Sequence, residues 1–366
     1  MLFRSSAAIM TRITDVNPII FDGHNDLLSV LYATAAGIDE AVDVEQVGSG
    51  MPGHLDCSKM RAGGFGGGFF AIWVPSDNDG NSRREKMKQP VYDLALPPEI
   101  PTDQALPVAL AQAAILHRLE QAGFVQICRD VGQLQDCFGQ GRVAAIMHIE
   151  GAEPIDRDFY NLDMFYRAGL RSIGPVWSRP NRFGYGVPFR YPSSGDIGPG
   201  LSDDGIRLVR HCDQNGILLD LSHLNEAGFW DVAKNSQKPL VATHSNAYAI
   251  CPHARNLSDR QLDAIAESDG IVGLNFAVAF LRPDGQMNPD TGIDVMLRHL
   301  DYLIEHVGED RVGFGSDFDG TAVPQVIGTA AGLPALRYAM RSHGYDEALM
   351  AKLCHGNWMR VLGKIW

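Results

Sequence analysis

Short runs rich in apolar and β-branched residues recur along the chain, and patterns typical of amphipathic helices separate most of them. Eight such runs predict eight strands. They lie approximately at residues 19–24, 67–74, 142–150, 169–177, 216–223, 239–245, 270–276 and 311–319. Strands that alternate with helices favour parallel βαβ units. Eight units in one chain therefore predict an α/β protein with a closed (β/α)8 barrel, the TIM-barrel class.

The segments between the predicted strands carry helical periodicity. In residues 293–308 apolar side chains recur at helical spacing, and residues 258–261 have the form of a capping box. No Pro/Ser-rich linker divides the chain, so we predict one domain over residues 1–366, with inserted segments near 76–101 and 179–200. The second segment follows the fourth strand and is rich in glycine, proline and aromatic residues, which favours a loop at the mouth of a pocket.

Composition narrows the class of protein. The chain has 31 basic and 44 acidic side chains, and its formal charge of -13 argues against nucleic acid or an anionic membrane as the main partner. The six cysteines include no Cys-x-x-Cys pair, which argues against a thiolate zinc cluster or a disulfide scaffold. Residues 1–15 lack the apolar run of a secretory signal, and no apolar stretch is long enough to span a bilayer, so we expect a cytoplasmic protein.

Polar side chains stand at the ends of five of the predicted strands. They are His24, Asp26, Glu150, His223, His244 and Asp317. Because the carboxyl ends of the strands meet on one face of such a barrel, we expect these side chains to lie together. Imidazole nitrogen and carboxylate oxygen are ligands that suit Zn²⁺ and similar divalent ions. Six groups are too many for one tetrahedral ion and favour two divalent metal ions, Zn²⁺ before others, that share a bridging carboxylate.

Each of these residues taken alone has a simpler interpretation. A histidine at a strand end is often an ordinary hydrogen-bonded side chain, and an aspartate there often caps the next helix. The coincidence at five strand ends is what favours a metal site. His148 and Asp22, each two residues before a candidate ligand, are expected in a deeper, supporting layer. Four histidines in helical segments are expected on solvated faces, namely His117, His211, His299 and His306.

Several short segments have the form of the motifs of a known family. They are DGHND at 22–26, IEG at 149–151, DLSH at 220–223, ATHSNAY at 242–248, RNLSD at 255–259, GSDFDG at 315–320 and GNWMRVL at 356–362. With the spacings from His223 to His244 and on to Arg255, they resemble the membrane dipeptidase (renal dipeptidase) family of zinc peptidases. The resemblance runs from about residue 19 to the carboxyl terminus and implies an amidohydrolase-like barrel.

The resemblance implies a role for each matching residue. The implied metal ligands are His24 with Asp26 at one zinc ion, His223 with His244 at the other, and Glu150. Glu150 would bridge the two ions, Arg255 would bind the terminal carboxylate of the substrate, and Asp317 would handle the proton. The implied reaction is hydrolysis of a dipeptide, with tolerance of a D-residue at its carboxyl-terminal position, by a hydroxide that bridges the metal ions.

One position departs from the family pattern. Where the family has a histidine that stabilises the oxyanion after the fourth strand, this chain has Trp177. An indole donates one hydrogen bond but carries no positive charge. Oxyanion stabilisation then falls to the metal ions alone or to Arg179, Asn181 or Arg182, or else the substrate differs. We assign Trp177 to substrate binding.

Two alternatives stay open. A binuclear-metal amidohydrolase that opens a cyclic amide or lactone often uses a carboxylated lysine as its bridge, and no lysine stands between Arg142 and Trp177. A barrel that has lost catalysis and serves as a binding protein is favoured by Trp177 alone. An aldolase or isomerase is disfavoured because the last strands end in no lysine, and the glycines of residues 63–70 suit close packing better than a phosphate. The expected binding partner is a small, dipeptide-like substrate. The expected oligomeric state is a homodimer.

Overall fold

Eight parallel strands form the centre of the computed structural model, which describes residues 17–34, 47–76 and 80–366. We name them β1 to β8 in chain order: Ile20–Asn25, Phe65–Trp73, Ala144–Glu150, Leu170–Gly174, Leu218–Leu219, Val241–Ala242, Ile271–Asn275 and Val312–Gly315. Their order around the sheet is β5-β4-β3-β2-β1-β8-β7-β6, and a parallel bridge between Asp220 and Val241 joins the two ends. A ninth, two-residue strand, Gln126–Ile127, pairs parallel with β3 outside this order. The sheet therefore closes into the predicted (β/α)8 barrel. The prediction for residues 1–15 lies outside the described residues.

Helices follow most of the strands, as the periodicity predicts. The α-helices span Leu27–Thr34, Cys57–Gly63, Gly80–Lys86, Thr102–Gln121, Val131–Gln140, Tyr160–Ala168, Asp203–Asn215, Glu226–Asn235, Asp259–Glu267, Val278–Leu281, Ile293–Val307, Leu333–His343, Glu347–Ala351 and Asn357–Ile365. Short 3₁₀ turns at Glu309–Arg311 and Ala330–Gly332 and a π-helical turn at Lys352–Gly356 complete the helical set of the described ranges. Among these helices, none combines the length and the apolar character that a bilayer crossing requires.

Two local predictions have different outcomes. The capping box forms, because the backbone N–H of Ser258 donates to the side-chain oxygen of Gln261 at 2.9 Å. The expectation that His299 lies on a solvated face is wrong, since this side chain is fully buried. Its ring lies 3.2 Å from the backbone nitrogen of Ala247 and 2.9 Å from the carbonyl oxygen of Leu281, and these two partners make its burial tolerable.

The lower part of the barrel interior is filled by aromatic side chains. The rings of Phe21 in β1 and Phe69 in β2 lie 6.3 Å and 5.2 Å from the ring of Trp358, which belongs to the carboxyl-terminal helix. The indole of Trp358 donates to the carbonyl oxygen of Phe314 at 3.1 Å. A Cβ at Gly313 would lie 2.6 Å from the indole nitrogen, so glycine makes room for this ring. The packed interior leaves the carboxyl end of the barrel as the open end.

Close packing of neighbouring strands accounts for the glycines of β2, as predicted. Gly67 has a φ of 143°, a conformation that side-chain-bearing residues rarely adopt. A Cβ at this position would overlap the carbonyl oxygen of Ala144 in β3. The glycine therefore permits the approach of β2 to β3, which pair over seven residues up to Trp73 and Glu150.

Both long segments of irregular chain meet above the carboxyl end of the barrel. Residues Tyr92–Asp93 pair antiparallel with Arg190–Tyr191, and we call this pair the mouth sheet. The hydroxyl groups of its two tyrosines donate to the carbonyl oxygens of Gly285 and Pro283, each at 2.6 Å. The helix Gly80–Lys86, which we call the mouth helix, belongs to the first segment. The mouth is thus built by both segments, although the sequence placed only the second one there.

Candidate active site

The five predicted metal ligands converge on the carboxylate of Glu150 at the end of β3. Its Oε1 atom lies 3.6 Å from Nε2 of His24, 3.1 Å from Nε2 of His223 and 3.3 Å from Nε2 of His244. Asp26 joins them, because its Oδ2 lies 3.4 Å from Nε2 of His24. All five side chains are buried. The geometry matches the arrangement expected of a bridging carboxylate between two sets of ligands.

Hydrogen bonds on the far side of two imidazole rings aim their other nitrogens at this centre. Nδ1 of His223 lies 2.8 Å from the hydroxyl of Ser178, and Nδ1 of His244 lies 2.8 Å from the hydroxyl of Thr243. The two Nε2 atoms are 3.1 Å apart. Burial, with the positive charges of nearby groups, holds the pKa of both histidines well below its ordinary value. The neutral imidazole that results is the form that binds metal ions.

The chemistry of this cluster fits divalent metal ions. Two groups of ligand atoms share Glu150, one completed by His24 with Asp26 and the other by His223 with His244, and within each group the atoms lie within 4.8 Å of one another. Neither ring nitrogen of His24 makes a hydrogen bond with the described residues. Burial raises the pKa of Glu150 well above its ordinary value. Buried imidazoles and carboxylates in such contact are stable only when protons or cations balance them.

Asp317 lies beside the cluster, just after β8, as predicted. Its Oδ2 accepts a hydrogen bond from the amide of Asn275 at 2.9 Å, and its backbone N–H donates to the carbonyl oxygen of His24 at 3.0 Å. Burial raises the pKa of Asp317, although His24 and Asn275 oppose that effect. The backbone φ of Asp317 is 59° and that of His223 is 68°. Left-handed backbone at two such residues is a strain that folded proteins concentrate at functional sites.

The two residues expected in a deeper layer are found there. Asp22 accepts hydrogen bonds from the backbone nitrogen and hydroxyl of Ser316 at 2.6 and 2.7 Å, and burial raises its pKa to about 7. The ring of His148 lies 5.6 Å from that of His24, and its Nδ1 lies 2.9 Å from the hydroxyl of Ser172. These contacts fix the layer of side chains directly beneath the candidate ligands.

Asp220 is a site residue that sequence reasoning missed. It accepts hydrogen bonds from the backbone nitrogen and hydroxyl of Thr243 at 2.9 and 2.6 Å. Its Oδ2 lies 3.8 Å from Nδ1 of His244, and with His24 these groups form a third set of potential ligand atoms. The sequence contains the same signal that identified the other site residues, because Asp220 is a polar residue that directly follows the apolar residues of the fifth predicted strand.

Arg255 is buried next to the site. Only 4% of its surface is exposed, and its Nη2 donates to the carbonyl oxygen of His244 at 3.1 Å. Its guanidinium carbon lies 5.4 Å from the ring centre of Phe280, a residue of the cavity wall. Burial lowers the pKa of Arg255 to about 10, while the carboxylates of Asp317 and Glu150 act in the opposite direction. Its positive charge is therefore retained at neutral pH close to the cluster.

A cavity of about 230 Å³ opens above the cluster. Its wall includes four aromatic side chains, those of Trp73, Trp177, Phe189 and Phe280. Pockets for drug-sized ligands usually measure about 300–1,000 Å³, so this volume suits a substrate of smaller size. The mouth helix closes one side of the cavity with the side chains of Arg83 and Arg84, two further residues that sequence reasoning missed.

Trp177 lies in the wall next to the candidate ligands. Its ring is 5.2 Å from the ring of Trp73 and 5.8 Å from that of His223, and only 6% of the residue is exposed. The structure therefore brings Trp177 to the cavity, where an indole offers an apolar surface with one N–H donor.

The neighbours that the sequence suggested for oxyanion stabilisation do not line the cavity and have other hydrogen-bond or ion-pair partners. Arg179 is fully buried in an ion pair in which its Nε donates to Glu153 at 3.0 Å. The amide of Asn181 donates to the carbonyl oxygen of Pro175 at 2.8 Å. Arg182 lies 3.7 Å from the carboxylate of Asp204, away from the cavity wall.

Sets of nitrogen and oxygen atoms that could hold metal ions, placed at the carboxyl end of a (β/α)8 barrel, are typical of metal-dependent hydrolases. The model of one such family, membrane dipeptidase (peptidase family M19), matches residues 9–365. The chain therefore belongs to the membrane dipeptidase family. This result confirms the predicted family, the barrel class and the assignment as a metallo-dipeptidase.

Two similar solved structures agree with this family, and a similar protein is also found in Klebsiella pneumoniae. A metallo peptidase from Rhodobacter sphaeroides, liganded with a phosphinate mimic of the dipeptide L-Ala-D-Ala, is 53% identical, with a TM-score of 0.92 over 95% of this chain and 99% of that chain. The dipeptidase AC, also of family M19, is 52% identical, with a TM-score of 0.91 over the same shares. A protein of the pqqA 5′ region of Klebsiella pneumoniae is 47% identical over 70% of this chain and 95% of its own length.

Proposed function

We propose that this metallo-dipeptidase uses two zinc ions, held by the sets of ligands that share Glu150. The observation that carries the proposal is that one carboxylate oxygen lies within 3.6 Å of the Nε2 atoms of three histidines. When bound, the ions would supply a nucleophile at neutral pH and polarise the peptide carbonyl. The ligands proposed are His24, Asp26, Glu150, His223 and His244.

In this proposal Asp317 is the proton carrier. Its carboxylate would accept the proton of the attacking water and deliver it to the leaving amine. The hydrogen bond from Asn275 fixes the orientation of the carboxylate, and the burial that raises the pKa of Asp317 suits a group that must both accept and donate a proton.

Arg255 is the proposed clamp for the terminal carboxylate of the substrate. Its Nε is buried and has no hydrogen-bond partner among the described residues, so this N–H is left for a hydrogen bond to the substrate. A guanidinium pairs with a carboxylate through two parallel N–H donors, and a fixed clamp of this kind limits the substrate to dipeptide length. Trp177 would contact the substrate from the aromatic wall and exclude water from the scissile bond.

Tolerance of a D-residue at the carboxyl-terminal position is part of the proposal. Its support is the phosphinate mimic of L-Ala-D-Ala bound by the similar enzyme from Rhodobacter sphaeroides. A single domain over residues 1–366 with inserted segments near 76–101 and 179–200, a homodimer and a cytoplasmic location stay predictions.

The experiment is a substrate comparison on purified protein of known metal content. We expect about two zinc ions per chain, turnover of L-Ala-L-Ala and L-Ala-D-Ala, and loss of both activities on chelation with recovery on adding Zn²⁺. Turnover of a lactone or cyclic ureide alone would favour the amidohydrolase alternative. Two zinc ions without turnover of any dipeptide would favour the binding protein.

The clamp is tested separately with Arg255→Ala. We expect a higher KM for free dipeptides with a smaller change in kcat, because the lost contact is to a part of the substrate that does not react. A dipeptide amide lacks the terminal carboxylate, so its hydrolysis should change little. Equal losses on the dipeptide and its amide would contradict the clamp.

A further inference from the structure

The mouth helix brings an arginine to the edge of the active site. The guanidinium carbon of Arg83 lies 5.1 Å from the ring centre of Trp177 and 5.4 Å from that of Phe189. Both rings belong to the wall of the cavity, and so does Arg83 itself.

The aromatic contacts give this guanidinium a defined position. Stacking on Trp and Phe rings uses the faces of a guanidinium group, and hydrogen bonding takes place at its edge. A carboxylate is the anion that fits this edge, because its two oxygens match two parallel N–H donors. A planar cation held in an aromatic wall is therefore a recognition element for a carboxylate on a small molecule.

The charges around the cavity favour an anionic substrate group at this point. Four carboxylates belong to the wall, those of Asp26, Glu150, Asp317 and Asp319. In the proposed function two divalent ions balance these four charges. The mouth helix then adds two positive charges, those of Arg83 and Arg84, and the cavity becomes positive on the side of the mouth helix.

We propose that Arg83 makes the enzyme selective for dipeptides with a carboxylate in a side chain, that is, dipeptides that contain aspartate or glutamate. This carboxylate is distinct from the terminal one assigned to Arg255. The inference rests on the proposed function, since it concerns the choice among dipeptides. Arg83 acts on specificity and takes no part in the chemical step.

The test compares kcat/KM for L-Ala-L-Ala, L-Ala-L-Glu, L-Glu-L-Ala and L-Ala-L-Lys. We expect the wild-type enzyme to prefer at least one glutamate dipeptide over L-Ala-L-Ala by about tenfold or more, the ratio that a charge-assisted pair supplies. Arg83→Met should remove that preference by raising KM for the glutamate dipeptides, so that the ratio of their kcat/KM to that of L-Ala-L-Ala falls to about one. Arg83→Glu should favour L-Ala-L-Lys instead.

Lys86→Met is the matched control. Lys86 lies on the same helix, is exposed and does not belong to the cavity wall, so its loss should leave the substrate preference intact. Equal kcat/KM for neutral and glutamate dipeptides in the wild type would overturn the inference. A uniform loss of kcat in Arg83→Met would also overturn it, because it would place Arg83 in the chemical step.

Failure of the proposed function has a different signature. The wild-type enzyme would then turn over no dipeptide in the series. Calorimetric titration of the zinc-loaded protein with the uncleaved dipeptides would still test Arg83. The inference is supported if the wild-type protein binds the glutamate dipeptides more tightly than the other dipeptides and Arg83→Met abolishes this difference. Equal binding of all the dipeptides by the wild type overturns it.

Discussion

Replacement of Asp317 by asparagine separates proton transfer from metal binding. Asparagine keeps the shape of the side chain and an oxygen that can accept the hydrogen bond of Asn275, now 2.9 Å long. It also tolerates left-handed backbone better than most residues, which matters because φ at this position is 59°. What the change removes is the ability to accept and deliver a proton.

The expected magnitude follows from that loss alone. General acid–base catalysis contributes about 10²–10⁴-fold to the rate of an enzyme, or roughly 3–5 kcal/mol of transition-state stabilisation. We therefore expect kcat of Asp317→Asn to fall by about 10²–10⁴, with KM changed far less. Zinc content should stay near the wild-type value, because the five proposed ligands are untouched.

The assay is steady-state hydrolysis of L-Ala-D-Ala with zinc measured on the same samples. Asp269→Asn serves as the control, since Asp269 also has left-handed backbone, with φ of 57°, and pairs with Arg311 at 2.9 Å before β7, at the other end of the barrel. This control should keep wild-type kcat. Unchanged kcat in Asp317→Asn would refute the assignment of Asp317, and loss of zinc would assign it to metal binding.

Two further predictions concern stability. Burial lowers the pKa of His299 from 6.5 to about 4, so the unfolded chain binds a proton in this pH range that the folded chain does not. The free energy of unfolding should therefore fall as pH drops from about 6.5 to 4, by up to about 3 kcal/mol for this group. Urea titrations should show a smaller fall in His299→Gln than in the wild type. An equal fall in both proteins would refute the argument. Gly67→Ala should lower the free energy of unfolding by at least about 2 kcal/mol, because the new Cβ overlaps β3. Gly139→Ala, where a Cβ meets nothing within 4 Å, should not lower it.

The strands and the side chains that gather at the candidate metal site could be predicted because their signals are local. A run of apolar residues predicts burial, and a polar residue at its end points to the open end of the barrel. The lengths of some strands could not be predicted in this way. The fifth predicted strand covers residues 216–223, yet β5 is only Leu218–Leu219. The chain leaves the regular ladder where Asp220 and His223 turn toward the site, and His223 does so with a φ of 68°.

Side chains whose position depends on distant contacts were missed or misplaced. His299 sits in a helix with an amphipathic pattern, and only its partners Ala247 and Leu281 show that its ring is buried. Arg83 belongs to a polar, charged segment that resembles an exposed loop in sequence. Its place at the cavity follows from the mouth sheet, which ties Tyr92 to Tyr191 across about a hundred residues of chain.

The pairing of β1 has a consequence for the folding of the chain during its synthesis. β1 carries His24 and lies between β2 and β8, and its Asp22 bonds to Ser316, 294 residues further along the chain. During synthesis, therefore, β1 keeps one edge without its neighbour until β8 has been synthesised. In the proposed function, stable metal binding would therefore be a late step, because in a nascent fragment that stops short of β8 the strand that carries His24 lacks one of its two neighbours.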